Sequence, residues 1–381
     1  MIPRHTVASN VVDSSTKVNT TSQLTWTKAL RMNQIQVIGT HNSYHREVSL
    51  TERPYHALLL SNPQDYYYSH AALDHQLQYQ SVRGLELDIW ADPHGGHYAT
   101  PLIRRLAHLD PPPASAMNKS GSKIIHVSDG DVGVSCYTLV ECLHVVKNWS
   151  VANPNHVPVP IMIEFKTPGA DMIALGGATA IPWNDTTLLD SLDAEFRSVF
   201  ASDQLITPDD IRQPNMTLEE SILKYGWPDL DSARGRVMFL MDDGSQTLGT
   251  VRQAYITGRP SLEGRVIFTQ SHPGEPDCAF RKMNTPTGDN QAEIQAAVAK
   301  NYWVRTRSDV PLDTILAKDT AMRDAAFSSG AQLISTDWPV EGMAARYDTD
   351  YVVRFGNGAT ARCNPVTAPV KCASLILEDL D

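Results

Sequence analysis

The chain has 381 residues, 42% of them apolar and 20% charged, with a formal net charge of -11. That size and apolar share support one large domain with a sizeable core, and the negative balance argues against nucleic acid as a partner, because phosphates would be repelled. No run of about 18 apolar residues occurs, so the sequence offers no candidate transmembrane helix.

Residues 1–30 read as a polar tail rich in Ser, Thr and Asn, without the apolar stretch of a signal peptide. From there the chain alternates short apolar, β-branched runs with helix-like stretches. The predicted strands are Gln34–Gly39, Arg83–Ile89, Lys123–Val127, Val159–Phe165, Arg236–Met241, Arg265–Thr269, Tyr302–Thr306 and Gln332–Ser335. Near-continuous apolar runs imply strands covered on both faces, as in parallel sheets. The predicted helices are Ala71–Gln80, Tyr137–Trp149, Thr186–Phe200, Asn290–Ala299 and Leu312–Ser328. Leu139, Leu143 and Val146 share one face of the second, and Leu188, Leu189, Leu192 and Phe196 one stripe of the third. Strand–helix alternation repeated eight times predicts an α/β fold, a (β/α)₈ barrel with long loop insertions. An open doubly wound sheet usually carries a Gly-rich phosphate loop after its first strand, and none is present here. The barrel is expected to span 31–341, with 342–381 as a C-terminal appendage.

Five cysteines fall as two close pairs, Cys136 with Cys142 and Cys363 with Cys372, leaving Cys278 over. Two short-loop disulfides would fit an exported, extracellular chain. The sequons at Asn19, Asn118, Asn148, Asn184 and Asn215 are compatible with export.

Barrel enzymes carry their chemistry at the C-terminal ends of the strands. His41 and Asn42 close the first run, and Glu86 and Asp88 lie on the second. His126 ends the third, followed by Asp129, while Glu164 and Lys166 end the fourth. Arg305 and Arg307 lie at the seventh, and Asp337 follows the eighth. Glu86 and Asp88 are two apart, so they point to one face roughly 6.6 Å from each other along the strand. Two carboxylates in a barrel mouth repel unless a cation lies between them. Asn42, Glu86, Asp88 and Glu164 form an all-oxygen set suited to Ca²⁺ or Mg²⁺ rather than zinc. Asp129 is a further candidate ligand. His41 and His126 are the candidate pair for taking and giving protons near neutral pH. Lys166, Arg305 and Arg307 are candidate phosphate contacts, and Asp337 is placed with the substrate-binding group. Arg305 could instead pair with Asp337 or Asp309.

The segments Ile38-Gly39-Thr40-His41-Asn42-Ser43-Tyr44-His45, Gly84-Leu85-Glu86-Leu87-Asp88, Ile163-Glu164-Phe165-Lys166 and Ser335-Thr336-Asp337-Trp338 resemble the phosphatidylinositol-specific phospholipase C superfamily, in particular its calcium-dependent microbial branch. The likeness runs from about Gln34 to Pro339. It implies a distorted barrel with Ca²⁺ held by Asn42, Glu86, Asp88 and Glu164, and catalytic histidines at His41 and His126. It also implies attack of the inositol 2-hydroxyl on phosphorus, giving a cyclic inositol phosphate and diacylglycerol. Lys166 and Arg305 would contact phosphate or inositol. The expected partners are a phospholipid or inositol phosphodiester and, transiently, a membrane surface; the chain is expected to be a monomer. Tyr66–Tyr68 and Leu58–Leu60 are candidates for lipid contact or for the core. A soluble-phosphodiester hydrolase on the same barrel and a non-catalytic phosphoinositide- or sugar-binding barrel are the competing readings.

Overall fold

The computed structural model describes residues 30–166, 170–179, 181–243, 250–374 and 377–378. The expected N-terminal tail, with Asn19, lies almost wholly outside these residues. Among the described residues eleven strands form two sheets: β1 (Ile35–Thr40), β2 (Leu85–Trp90), β3 (Lys123–Ile124), β4 (Val159–Phe165), β5 (Leu205–Ile206), β6 (Val237–Asp242), β7 (Ile267–Phe268), β8 (Phe280–Lys282), β9 (Trp303–Arg307), β10 (Leu333–Thr336) and β11 (Ala361–Cys363). The orders are β11-β1-β10-β9-β8 and β3-β2-β4-β6-β5, with β7 also on β6.

The sheets meet at single parallel bridges, Gly39 to Gly84 and Gln270 to Phe280. Eight parallel strands therefore follow one another around a ring, β1-β2-β4-β6-β7-β8-β9-β10. The fold is a distorted (β/α)₈ barrel with two thin seams. The first seam depends on two glycines facing each other. A Cβ on Gly84 would come 2.2 Å from Leu333 Cδ1 and 3.1 Å from the Gly39 Cα, so a side chain there would push β1 and β2 apart.

One predicted strand is corrected. Lys123–Ile124 pairs antiparallel with β2, Ile89 beside Ile124, and lies outside the ring. Its place among the eight is taken by β8, only three residues long and carrying Arg281 and Lys282, which is too short and too charged to show as an apolar run. The predicted helix over 312–328 is two helices, Asp313–Ala317 and Ala321–Ser329, interrupted at Lys318 with φ +53°.

The strands are covered on both sides, as their composition requires. All residues of β1, β2 and β6 are buried. The helix Leu139–Ala152 starts at Thr138, whose hydroxyl accepts from the Glu141 amide at 3.1 Å, a stabilising N-cap. It buries Leu139, Leu143 and Val146. The helix Thr186–Val199 starts at the Asp185 cap and buries Leu189, Leu192 and Phe196. Phe196 lies against Phe239 of β6 at a ring separation of 4.1 Å. Among the described residues no helix is long and apolar enough to cross a membrane.

Beyond the last ring strand, β11 pairs antiparallel with β1, Ile35 beside Cys363. Disulfides join Cys136 to Cys142 and Cys363 to Cys372, and Cys278 is free and buried. Glu378 reaches the N-terminal end of the barrel, where it accepts from Arg83 Nε at 2.7 Å and from the Val157 amide at 2.7 Å. His156 sits beside them, fully buried, with Nδ1 on the Val157 carbonyl at 2.6 Å and Nε2 on Ser150 Oγ at 2.7 Å. Burial pushes this imidazole down to about 4. The unfolded chain binds a proton there near pH 6.5, the native chain only near pH 4. Stability from His156 is therefore complete above about pH 6.5 and is lost as pH falls towards 4, by about 3 kcal/mol in all. In urea titrations, His156→Gln should flatten the stability profile over this window; an unchanged slope would show that His156 does not set it.

Candidate active site

The mouth of the barrel is built from strand ends tied to each other through backbone and side chain. After β1, His41-Asn42-Ser43 turns across the opening, with Asn42 at φ +47°, a left-handed conformation that Asn tolerates. Ser43 fastens this turn to β2. Its hydroxyl accepts from the Glu86 amide at 2.8 Å, and its own amide donates to the Glu86 carbonyl at 3.0 Å. Gln76, on the helix Leu73–Tyr79, donates to the Ser43 carbonyl at 2.7 Å and accepts from the Thr40 hydroxyl at 2.6 Å.

On β2, Leu85, Leu87 and Ile89 join the main hydrophobic core, which leaves Glu86 and Asp88 on the opposite face. The parallel register sets Asp88 beside Glu164 and Glu164 beside Asp242. Carboxylate oxygens of Glu86, Asp88 and Glu164 lie within 4.8 Å of one another. Cations surround this row. Lys166 Nζ stands 2.9 Å from Asp88 Oδ2 and 2.9 Å from Glu164 Oε1. Arg305 donates to Glu86 Oε2 at 2.6 Å and to Ser335 Oγ at 3.0 Å, and it also meets Asn284. Lys282 pairs with Asp242. Burial lifts Asp88 well above the usual carboxylate range; Lys166 opposes this, and Glu164 and Glu86 add to it. Partial burial would raise Glu164 too, but the Lys166 ammonium outweighs it and holds the carboxyl down.

The group fits a hard cation. Oxygen ligands on Ca²⁺ stand at about 2.3–2.6 Å, so two of them are up to roughly 5 Å apart, which the three carboxylates satisfy. Asn42 Oδ1 is buried with no hydrogen-bond donor, and Asp88 and Glu164 share one ammonium, that of Lys166. Buried oxygens left in this state are what a metal ion would satisfy.

The two histidines are each backed by a carboxylate. His41 Nδ1 meets Asp337 Oδ1 at 2.8 Å, its Nε2 lies 3.6 Å from Glu86 Oε1, and Arg307 holds Asp337 Oδ2 at 3.1 Å. Asp337 is held well below its ordinary range, His41 and Arg307 outweighing its burial. Asp337 thus orients His41 from behind, and it is Arg307, not Arg305, that pairs with it. His126 comes from the β2–β4 crossover rather than from the end of a ring strand. A tight turn over Val127–Asp131, closed by the Asp131 amide on the Val127 carbonyl at 3.0 Å, returns Asp131 to the ring, and His126 Nδ1 meets Asp131 Oδ2 at 2.8 Å. Burial and the Lys166 charge push His126 down to about 4 against the pull of Asp131.

The crossover is anchored where Gly133 accepts from the Arg46 amide at 2.9 Å; a Cβ there would come 2.2 Å from the Arg46 carbonyl oxygen. The Cys136–Cys142 disulfide ties its end to the following helix. Asp129 accepts from the Leu102 and Ala178 amides at 2.7 Å each. It is a loop brace, and the reading of it as a metal ligand is withdrawn.

Several contributors escaped the sequence reading. Asp242 directly follows the predicted strand Arg236–Met241, but the pairing that sets it beside Glu164 is not legible in the sequence. Lys282 and Asn284 follow from the short β8. Asp131 and His45 form contacts that only the turn creates. Of the aromatic cluster, Tyr68 is buried against His45 at a ring separation of 4.6 Å, and Tyr66 lies 4.9 Å from the His126 ring. Leu58 is 77% exposed.

Comparison with known proteins adds a family and a fold. The sequence pattern of the calcium-dependent phosphoinositide phospholipase C family matches residues 30–365. A calcium-dependent phosphoinositol-specific phospholipase C from the Gram-negative bacterium Pseudomonas sp. superposes with a TM-score of 0.52 at 16% identity, over 89% of this chain and 96% of that one. The same enzyme in a myo-inositol complex gives a TM-score of 0.51 at 16% identity, over 88% and 96%. A calcium-dependent phosphatidylinositol-specific phospholipase C from Streptomyces antibioticus gives 0.51 at 17% identity, over 81% and 95%. At these identities the superpositions establish the shared fold. No curated protein matches the chain.

Removing one charge from the carboxylate row should weaken Ca²⁺ binding without loss of fold. Glu164→Gln is expected to lower affinity by at least about 10-fold in isothermal titration calorimetry; an unaltered affinity would take Glu164 out of the ligand set.

Proposed function

Because the chain belongs to the family of calcium-dependent phosphoinositide phospholipases C, we propose that it cleaves phosphatidylinositol by attack of the inositol 2-hydroxyl on phosphorus, with His41 and His126 moving the protons. The observation that carries this reading is the arrangement itself: two carboxylate-backed imidazoles beside a row of three carboxylates, two of them buried. In the proposed step the 2-hydroxyl oxygen forms a bond to phosphorus as the bond to the glycerol oxygen breaks. The hydroxyl proton leaves and the departing oxygen gains one, giving diacylglycerol and a cyclic inositol phosphate.

Each residue has a role set by its surroundings. Asn42, Glu86, Asp88 and Glu164 would hold Ca²⁺. The bound ion supplies Lewis-acid stabilisation of charge on the phosphate and the attacking oxygen. Asp337 occupies His41 Nδ1 and Asp131 occupies His126 Nδ1, so Nε2 is the nitrogen each ring offers for proton exchange. His126 is assigned to the departing glycerol oxygen, and His41 to the attacking side and the charge on phosphorus. Lys166, with its side chain 17% exposed at the mouth, is assigned to a phosphate oxygen. Arg305 is 2% exposed and bonded to Glu86, Asn284 and Ser335, so its part is to fix Glu86 and to bias the site towards anions. The two disulfides favour an oxidising, extracellular setting.

With phosphatidylinositol as substrate, ³¹P NMR should show a cyclic phosphodiester that disappears in excess EGTA and returns with Ca²⁺; a directly hydrolysed monoester as first product would refute the internal nucleophile. His41→Ala should lower kcat at least about 10²-fold, and a near-wild-type rate would remove His41 from the chemistry.

A further inference from the structure

Asp131 is fully buried, and among the described residues its ion-pair partners are two imidazoles. One oxygen, Oδ2, receives both, His45 Nε2 at 2.8 Å and His126 Nδ1 at 2.8 Å, while Oδ1 is buried with no donor. A carboxylate removed from water needs a compensating charge close by. One of the two rings must therefore be charged, and the second nitrogen of each decides which. His45 Nδ1 faces the Tyr68 carbonyl oxygen at 3.1 Å. Carboxylate and carbonyl oxygens only accept, so both His45 nitrogens must carry hydrogen. His126 Nε2 meets no acceptor among the described residues, and its side chain is 11% exposed at the mouth.

We propose that His45 is a permanent imidazolium whose charge cancels that of Asp131, leaving His126 neutral in the free enzyme, so that it takes up a proton as the anionic phosphate arrives and passes that proton to the departing glycerol oxygen. This rests on the assignment of His126 to proton transfer. An uncompensated Asp131 would hold that proton on His126 through neutral pH and make it harder to give up. His45 touches no substrate; it is a positioning residue that acts through Asp131.

The surroundings agree with this division. His45 packs against the Tyr68 ring at 4.6 Å, and His56, His70 and Asp337 lie within its electrostatic reach. Burial drives His56 and His70 towards the neutral form, His70 to about 4, so neither competes as the balancing cation. Burial would lower His45 as well, yet the Asp131 carboxylate outweighs it and raises the ring above its ordinary value. Around His126 stand Lys166, Glu164 and the neutral Tyr66, and Lys166 works against a second positive charge.

The test is a histidine titration by ¹⁵N–¹H NMR on the metal-free, substrate-free protein. In wild type, both His45 ring nitrogens should remain protonated at pH 7 and above, while His126 is neutral. His45→Gln keeps a donor to Asp131 but removes the charge 5.7 Å from the His126 ring. The His126 midpoint should then rise by about one to two pH units, and the limb of the kcat/KM profile that His126 controls should move up with it. A neutral His45 in wild type at pH 7 overturns the proposal even if the variant does not fold. So does an unmoved His126 midpoint in His45→Gln. Because the NMR arm needs neither calcium nor substrate, its outcome separates this proposal from the catalytic assignment. A His126 midpoint that shifts while the pH–rate profile stays fixed would keep the charge relation and reject the catalytic role.

Discussion

The mouth of this barrel is organised by one electrostatic constraint: carboxylates placed side by side on adjacent parallel strands in a buried setting. The register brings Asp88, Glu164 and Asp242 into one row, with Glu86 two residues before Asp88 on β2. Buried like charges cannot all remain ionised without compensation. Lys166, Arg305 and Lys282 supply part of it from β4, β9 and β8. What they leave over shows in Asp88, which burial still drives well above the ordinary carboxylate range, and in the undonated oxygen of Asn42. A divalent cation held by this row would complete the balance.

The two histidines proposed to move protons obey the same rule on a smaller scale. Each imidazole is paired through Nδ1 with a buried carboxylate, and each carboxylate has a second cationic partner: Arg307 for Asp337, and His45 for Asp131 under the assignment proposed above. The difference between the two partners matters. Arg307 is a cation at any working pH, whereas His45 owes its charge to the acceptors on both sides of its ring. The loops that hold these partners are fastened to neighbouring backbone at Gly133 and at Ser43, so the two rings keep fixed orientations on segments outside regular strands.

Much of the fold was legible because parallel strands buried on two faces leave long apolar runs, and β1, β2, β4, β6, β9 and β10 did so. β8 was not legible, since a three-residue strand with two basic residues carries no apolar signal. Lys123–Ile124 was misplaced because an apolar run does not reveal pairing direction; its antiparallel partnership with β2 comes from the return of the crossover chain. The spacing Glu86-x-Asp88 and the strand-end position of Glu164 exposed the carboxylate row early. Asp242 needed the register. Asp129 and Asp131 are two residues apart in the same turn, and composition does not tell which one reaches His126. The Val127–Asp131 turn decides it, sending Asp129 to the Leu102 and Ala178 amides instead. His45 carried a sequence signal, four residues after His41 in the same motif, but its meaning depends on the Tyr68 carbonyl, which arrives from 23 residues further on.

Whether the barrel mouth is a single calcium site held by Asn42 and three carboxylates can be read from crystals grown with Ca²⁺ and measured for anomalous scattering. One strong peak is expected about 2.3–2.6 Å from Asn42 Oδ1 and from oxygens of Glu86, Asp88 and Glu164, with the Lys166 ammonium displaced from between Asp88 and Glu164. A peak elsewhere, or a calcium-saturated protein whose Lys166 still bridges those two carboxylates with no ion beside them, would contradict it.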